Sequence, residues 1–361
     1  MFRLLTLFLV FPLIALSQNI PTLPKPSGHF SVGRSQTETK NGERLLLWYP
    51  AVNHVKSGKL SEYAEPVVLA ALIKSGYYDQ SAETMKSWAS VQTHSLDAAV
   101  PLRGRRPLIV FLPGAGVAGF QYTALAEEIA SQGFFVAVVD YFSPLAPKRT
   151  YNEDDSDRMT NDMARSATQC IQELASDPHW SDRIKFDRLG AVGHSIGGAA
   201  AIAFAWMDHR VGATVDMDGA PFGDALHGAS APLLVLRSKP MYSETDLRKR
   251  GRTRKQWETM GEEVRRTWTS FRSKSKTKDL TIIFVKGAGH FSFSDAPFVM
   301  PDSITRFGGE MMDPNRGQEV IGTCVVEFLN DHLRRSNSSP SMCSSFKEIV
   351  SGISPEVQKT P

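Results

Sequence analysis

Cysteine is scarce in this chain: its 361 residues hold three, Cys170, Cys324 and Cys343. That excludes a disulfide framework and allows one bridge at most, with a thiol left over. Cys170 and Cys324 fall on the apolar sides of predicted helices and are read as buried free thiols. Charge of one sign is scarce too. Lys and Arg total 41 against 38 Asp and Glu, a formal +3, which excludes the large basic field that nucleic-acid binding would need. Long apolar runs are missing beyond the extreme N-terminus, so no later segment is predicted to span a bilayer. No internal repeat is visible. What remains is ordinary globular composition, 42% hydrophobic and 22% charged, in a length that α/β folds often use as one unit.

The one apolar run is Leu4–Leu16, preceded by Arg3 and followed by the small-x-small site Ala15-Leu16-Ser17. It reads as a secretory signal peptide over residues 1–17, too short to cross a bilayer and interrupted by Pro12. The mature chain is expected to begin near Gln18 and to work outside the cytoplasm, secreted or periplasmic.

The chain is organised around Leu189-Gly190-Ala191-Val192-Gly193-His194-Ser195-Ile196-Gly197-Gly198-Ala199-Ala200. An apolar run ends in Gly-His-Ser-Ile-Gly and strong helix formers follow at once. That is the G-x-S-x-G nucleophile elbow in its strand–turn–helix setting. A serine hydroxyl becomes a useful nucleophile when a sharp turn lifts it toward a base. Gly193 and Gly197 leave room for strand and helix to pass. Ser195 then sits at a helix N-terminus, where free N–H groups favour negative charge. His194, inside the elbow, is read as shaping the turn.

Around that centre, His29–Arg34 and Arg44–Tyr49 read as a hairpin about Asn41-Gly42. Val67–Ile73 and Ser81–Ser90, the latter with Met85 and Trp88, are expected as helical cover. Leu108–Leu112 and Phe134–Val139 are apolar strands, as burial on both faces requires, with a helix over Gln121–Ser131 between them. The acids of 152–157 open a helix that runs to about Ser176, where they complement its dipole. Gly212–Met217, Pro232–Leu236 and Thr281–Val285 are further strands, and Arg316–Arg335 the final helix. Strands and helices in alternation predict an α/β fold with a mostly parallel central sheet and helices on both faces. Its domain is expected to span 18–335. The basic stretch 247–278, with Trp257, Met260, Val264 and Trp268 at helical spacing, reads as a helical insertion or a lid; its two readings are a solvated face and a surface docking on anionic lipid. The Ser-rich tail 336–361 is expected to be loosely packed, and Asn337-Ser338-Ser339, closely followed by Pro340, is a glycosylation sequon only in a eukaryotic source.

Functional groups in such sheets gather at the carboxyl ends of strands. Those ends offer Ser195, Asp218 and His290, in the chain order Ser, acid, His of the α/β-hydrolase fold. His290, in Gly287-Ala288-Gly289-His290, is the candidate general base, and a carboxylate on its other nitrogen would fix its tautomer. Asp218 competes for that role with Glu244 or Asp246 one strand later, and with Asp216 two residues earlier. An oxyanion hole needs two convergent N–H groups; Ile196, after the nucleophile, and Ala115, in Gly114-Ala115-Gly116, are the candidates.

Three linked segments resemble the plasma-type platelet-activating-factor acetylhydrolase family: Gly193–Ala199, Met217-Asp218-Gly219-Ala220-Pro221-Phe222-Gly223, and Gly289-His290-Phe291-Ser292-Phe293-Ser294-Asp295. The lead-in from Pro26 through Trp48-Tyr49-Pro50-Ala51 is similar to that family as well. The resemblance implies an α/β-hydrolase fold and selects Asp218 as the acid. It implies a serine esterase acting through an acyl-enzyme on short-chain acyl esters, phospholipids among them, with no metal and no cofactor. The loop Pro113-Gly114-Ala115-Gly116 departs from the His-Gly-Leu-Gly of many relatives, which puts pocket shape and acyl preference in question. Phe222, Phe291 and Phe293 are candidate pocket residues, with core packing the competing reading for each. The expected partner is a small-molecule or lipid ester, with peripheral contact to a lipid surface and no nucleic acid. A broader carboxylesterase, a polyester hydrolase, a dienelactone-hydrolase-like enzyme and a non-catalytic binding protein are the alternatives.

Overall fold

Successive side chains of the central strands enter two different cores. In β4 (Arg106–Leu112), Leu108, Val110 and Leu112 point into one core, Ile109 and Phe111 into the other, and all are fully buried. In β5 (Phe135–Val139) the same alternation separates Phe135, Ala137 and Val139 from Val136 and Val138. A strand buried on both faces needs helices on both sides, and the fold supplies them. The structure, a computed structural model, describes residues 21–351 apart from 53–57, 76–85, 148, 150, 152–154, 240–241, 250, 302–311 and 335–340. The expected signal peptide, Met85 and Asn337 lie outside the described residues.

Ten strands form one sheet. With β1 (Ser31–Glu38), β2 (Arg44–Ala51), β3 (Leu96–Asp97), β6 (Ile184–His194), β7 (Val211–Met217), β8 (Leu233–Lys239), β9 (Leu280–Lys286) and β10 (Ile349–Ser351), the order is β10-β9-β8-β7-β6-β4-β5-β2-β1-β3. The run from β9 to β5 is parallel throughout. The β1–β2 hairpin joins it through an antiparallel pairing of β2 with β5, and Gly42 at the hairpin's tip takes the positive φ of +79° the turn requires. From β4 the chain goes to β5 on one side and returns to β6 on the other. That reversal opens the crevice where ligands of open α/β sheets bind.

One face is covered by α1 (Pro66–Ser75), α2 (Thr123–Ser131) and α6 (Pro314–Arg334), the other by α3 (Ser156–Ser176), α4 (Ile196–Met207) and α5 (Arg254–Lys274). The mostly parallel sheet with helices on both faces is the fold the alternation predicted.

Three expectations need correction. The segment 247–278 is no insertion: α5 carries the chain from β8 across to its parallel neighbour β9, capped by Thr253 through Gln256, and it buries Trp268 and Phe271. A parallel pair cannot be joined without such a crossover. The tail does not part from the domain at 335. Cys343 is bonded to Cys324, Glu327 accepts the N–H groups of Met342 and Cys343, Arg316 pairs with Glu348, and β10 extends the sheet beyond β9. Cys324 is therefore no free thiol; Cys170 is, fully buried, with burial raising its pKa. The described residues of the expected helix 81–90 are helical, Lys86 and Ser87 running into a tight turn over Trp88–Ser90.

Candidate active site

β6 ends at His194 and α4 begins at Ile196, so the whole reversal falls on Ser195, with φ +56° and ψ −126°. A side chain there is strained by about 1–3 kcal/mol, and only surrounding structure holds it. That structure is close packing. A Cβ on Gly193 would lie 2.0 Å from the carbonyl oxygen of Gly197, and one on Gly197 2.1 Å from that of Leu112. The Ser195 N–H donates to the Met217 carbonyl at 2.9 Å, which ties the elbow to β7.

Ser195 Oγ lies 3.1 Å from His290 Nε2, and His290 Nδ1 lies 2.7 Å from Asp218 Oδ2. His290 opens a tight turn, His290–Phe293, just past β9. Asp218 follows β7 in a left-handed conformation, φ +57°, and its N–H is held by the Leu236 carbonyl of β8. Its carboxylate also accepts the Ser238 N–H at 2.8 Å and the Ser238 hydroxyl at 2.7 Å, with the Arg237 guanidinium 3.6 Å away. Burial alone would raise its pKa, but the His290 hydrogen bond and the Arg237 charge outweigh burial and hold it at about 2. Asp216 is wholly buried, and burial pushes it up to about 7 against the opposing Arg237 charge. One of its oxygens accepts the Gly219 N–H; it does not meet His290. Glu244 pairs with Arg254 and Asp246 accepts from Ser243, so both are engaged elsewhere.

Gly114 presses against the elbow: a Cβ there would lie 3.3 Å from Ser195 Cβ and 2.9 Å from His194 Nδ1. Ala115 is the next residue and is exposed. Ile196 heads α4, so its N–H has no partner within the helix. Phe291 is half-buried, its ring 5.5 Å from that of His290, and Phe222 is half-buried against the α3/α4 core. Phe293 does not line a pocket. It is a core residue, 2% exposed, with its ring 6.1 Å from that of His194. Sequence reasoning missed Ser238 and Arg237. No motif marks them; they reach Asp218 only because β7 and β8 pair in parallel.

The class that fold and site define is an ester-hydrolysing enzyme of the α/β-hydrolase fold. Residues 175–345 match the family described as platelet-activating factor acetylhydrolase, isoform II, and residues 70–218 match chlorophyllase. The chain is 25% identical over 306 residues to platelet-activating factor acetylhydrolase of Gallus gallus, covering 70% of this chain and 67% of that protein. It is 24% identical over 240 residues to a probable 1-alkyl-2-acetylglycerophosphocholine esterase of Arthroderma benhamiae, covering 62% and 54%. Among solved structures, a ferulic acid esterase from Streptomyces cinnamoneus shares the fold, with a TM-score of 0.71 at 23% identity over 92% of this chain and 99% of that one. The family model and the curated relatives thus point to the same similarity, to platelet-activating factor acetylhydrolases, that the sequence motifs carry.

Proposed function

We propose that the protein is a secreted serine esterase that cleaves short-chain acyl esters through an acyl-enzyme on Ser195. The observation that carries the reading is the continuous run from Ser195 Oγ through His290 to Asp218. His290 Nε2 takes the serine proton as Oγ attacks the ester carbonyl, then returns it to the leaving alkoxide. Ionised Asp218 holds the Nδ1–H tautomer and stabilises the imidazolium. The Ile196 and Ala115 N–H groups receive the oxyanion, and loss of one such donor costs about 3–4 kcal/mol of transition-state stabilisation. Water then enters by the same route and frees the acid.

An acetylated ether phospholipid is the substrate class the relatives' names support. Phe222 and Phe291 form the apolar rim for the acyl group. The Cys324–Cys343 bond supports an oxidising compartment, in keeping with the leader at 1–17, and among the described residues no helix is long and apolar enough to cross a membrane. The loop Pro113–Gly116 favours a second reading, a carboxylesterase of broader acyl preference. A fluorophosphonate probe and an ester series from acetyl to lauroyl, with an acetylated ether phospholipid included, test both. Labelling of the wild type that is lost in Ser195→Ala is expected, with turnover falling as the acyl chain lengthens. An unlabelled wild type overturns the serine esterase; a flat series selects the broader enzyme.

A further inference from the structure

His194 is a fully enclosed polar side chain beside the site. It is 0% exposed, and burial together with the neighbouring His290 charge pushes its pKa down to about 3, so its ring is neutral at any working pH. A neutral imidazole has one N–H and one bare nitrogen, and its surroundings decide which is which. His194 Nε2 lies 2.9 Å from the backbone carbonyl of His290. A carbonyl only accepts, so Nε2 carries the hydrogen. Nδ1 is therefore bare, and the Tyr122 hydroxyl 2.8 Å away donates to it. The Tyr122 oxygen in turn accepts the Gly114 N–H at 2.9 Å.

The result is one directional chain: Gly114 N–H to Tyr122 O–H, to His194, to the His290 carbonyl. Its ends belong to the two segments that the reaction needs most accurately placed. Gly114 precedes Ala115 in the oxyanion loop, and its carbonyl accepts the Val117 N–H at 3.0 Å, so Gly114 is held at both ends. The His290 carbonyl fixes the backbone that carries the base. The middle member is bonded in sequence to Ser195. Packing locks the relay: the Tyr122 ring lies 4.7 Å from Phe111, and Phe293 backs His194. Glycine at 114 is part of the device, because a Cβ there would fill the space between His194 Nδ1 and the Tyr122 hydroxyl, 2.9 and 3.3 Å from them.

We propose that His194 and Tyr122 are positioning residues that couple the oxyanion loop to the backbone of the general base, so that one buried ring sets both distances to the reacting carbonyl. The inference rests on the serine esterase reading of Ser195 and His290, and it assigns neither His194 nor Tyr122 a contact with substrate. A displacement of an ångström at either end lowers the rate by about a hundredfold without a matching change in ground-state binding.

Three variants test it, each compared per active site titrated with a fluorophosphonate. In Tyr122→Phe the ring stays while both hydroxyl bonds go; kcat is expected to fall about 10- to 100-fold with KM within about twofold. In His194→Leu both halves of the relay are lost, and the fall is expected at the upper end of that range. In His194→Gln the amide nitrogen replaces Nε2 and keeps the bond to the His290 carbonyl, so part of the activity returns. Because the members act as one unit, Tyr122→Phe added to His194→Gln is expected to cost little more than either alone. If His194→Leu does not fold, the cycle between Tyr122→Phe and His194→Gln still decides. Independent, multiplying effects, or a kcat within about threefold of wild type for Tyr122→Phe, overturn the relay while an active, labelled wild type leaves the esterase standing. An unlabelled wild type overturns both.

Discussion

Asp216 and Asp218 stand two residues apart on one strand end and are driven in opposite directions. Asp218 accepts hydrogen bonds from His290 and Ser238 beside Arg237 and is held at about 2; Asp216, wholly buried, is pushed up to about 7. One carboxylate is thus kept ionised to orient an imidazole while its neighbour holds a proton at mild acidity. The signs for stability follow from which state binds the proton more tightly. Asp218 releases its proton earlier in the folded chain, so its contribution is present above the unfolded value near 3.8 and is lost as pH falls toward 2. Asp216 keeps its proton longer in the folded chain, so stability falls as pH rises from 3.8 to 7 and levels off above. Asp295, also buried and pushed up to about 7, adds a like amount. In denaturant titrations, Asp216→Asn is expected to remove part of the loss between pH 4 and 7; an unchanged slope counts against a buried protonated acid there. Asp218→Asn is expected to lose about four orders of magnitude in kcat, because His290 would be held in the wrong tautomer.

At the scale of the element, the C-terminal stretch is fastened to α6 by Cys324–Cys343, which closes a loop of 19 residues. A loop of that size restricts the unfolded chain by about 3 kcal/mol. Cys343→Ser is therefore expected to lower the melting temperature by several degrees while kcat of the folded enzyme stays near wild type, since the bond lies on the α6 side and touches neither Ser195 nor His290. Differential scanning calorimetry with and without reductant checks it: reductant shifts the wild type and not the variant. This bond also marks where sequence reading stops. The hairpin at Asn41-Gly42, the apolar strands 108–112 and 134–139 and the elbow were legible because each carries its reason locally, as a turn residue, a buried run or a glycine spacing, whereas Asp218 stood among several acids and was selected by the family resemblance. Cys324 looked like any apolar helix position; its partner, 19 residues on in a Ser-rich tail, became its partner only through folding. β3 and β10, of two and three residues, are too short to show a period. Ser238, Arg237 and Tyr122 join the site through strand pairing and packing, Ser238 meeting Asp218 across 20 residues of chain and Tyr122 meeting His194 across 72, which no local pattern records.

The whole molecule adds a constraint that neither a residue nor an element shows. A sheet open at both ends exposes backbone donors and acceptors at its edges, and such edges pair with other chains unless something covers them. At one end β9 is parallel to β8 and apolar at Ile282, Ile283 and Val285; left uncovered it would be a ready template. The last described residues cover it. β10 pairs Ile349, Val350 and Ser351 with Val285, Phe284 and Ile283, the Lys286 N–H donates to the Glu348 carbonyl at 2.8 Å, and Arg316 holds Glu348 from α6. The three-residue strand is thus short, as protected edges tend to be, and it is anchored by a salt bridge and a disulfide rather than by length. A chain ending at Arg335 would keep every residue of the proposed triad and every strand from β1 to β9. It is nonetheless expected to unfold at a lower temperature than Cys343→Ser, because it loses the strand and the Glu348 anchor as well as the bond. It is also expected to elute from a size-exclusion column as oligomers that grow with concentration, since the bared edge of β9 pairs between copies. A monomer with the melting temperature of the full chain would show that the edge needs no cover and that the segment 341–351 is dispensable to the fold.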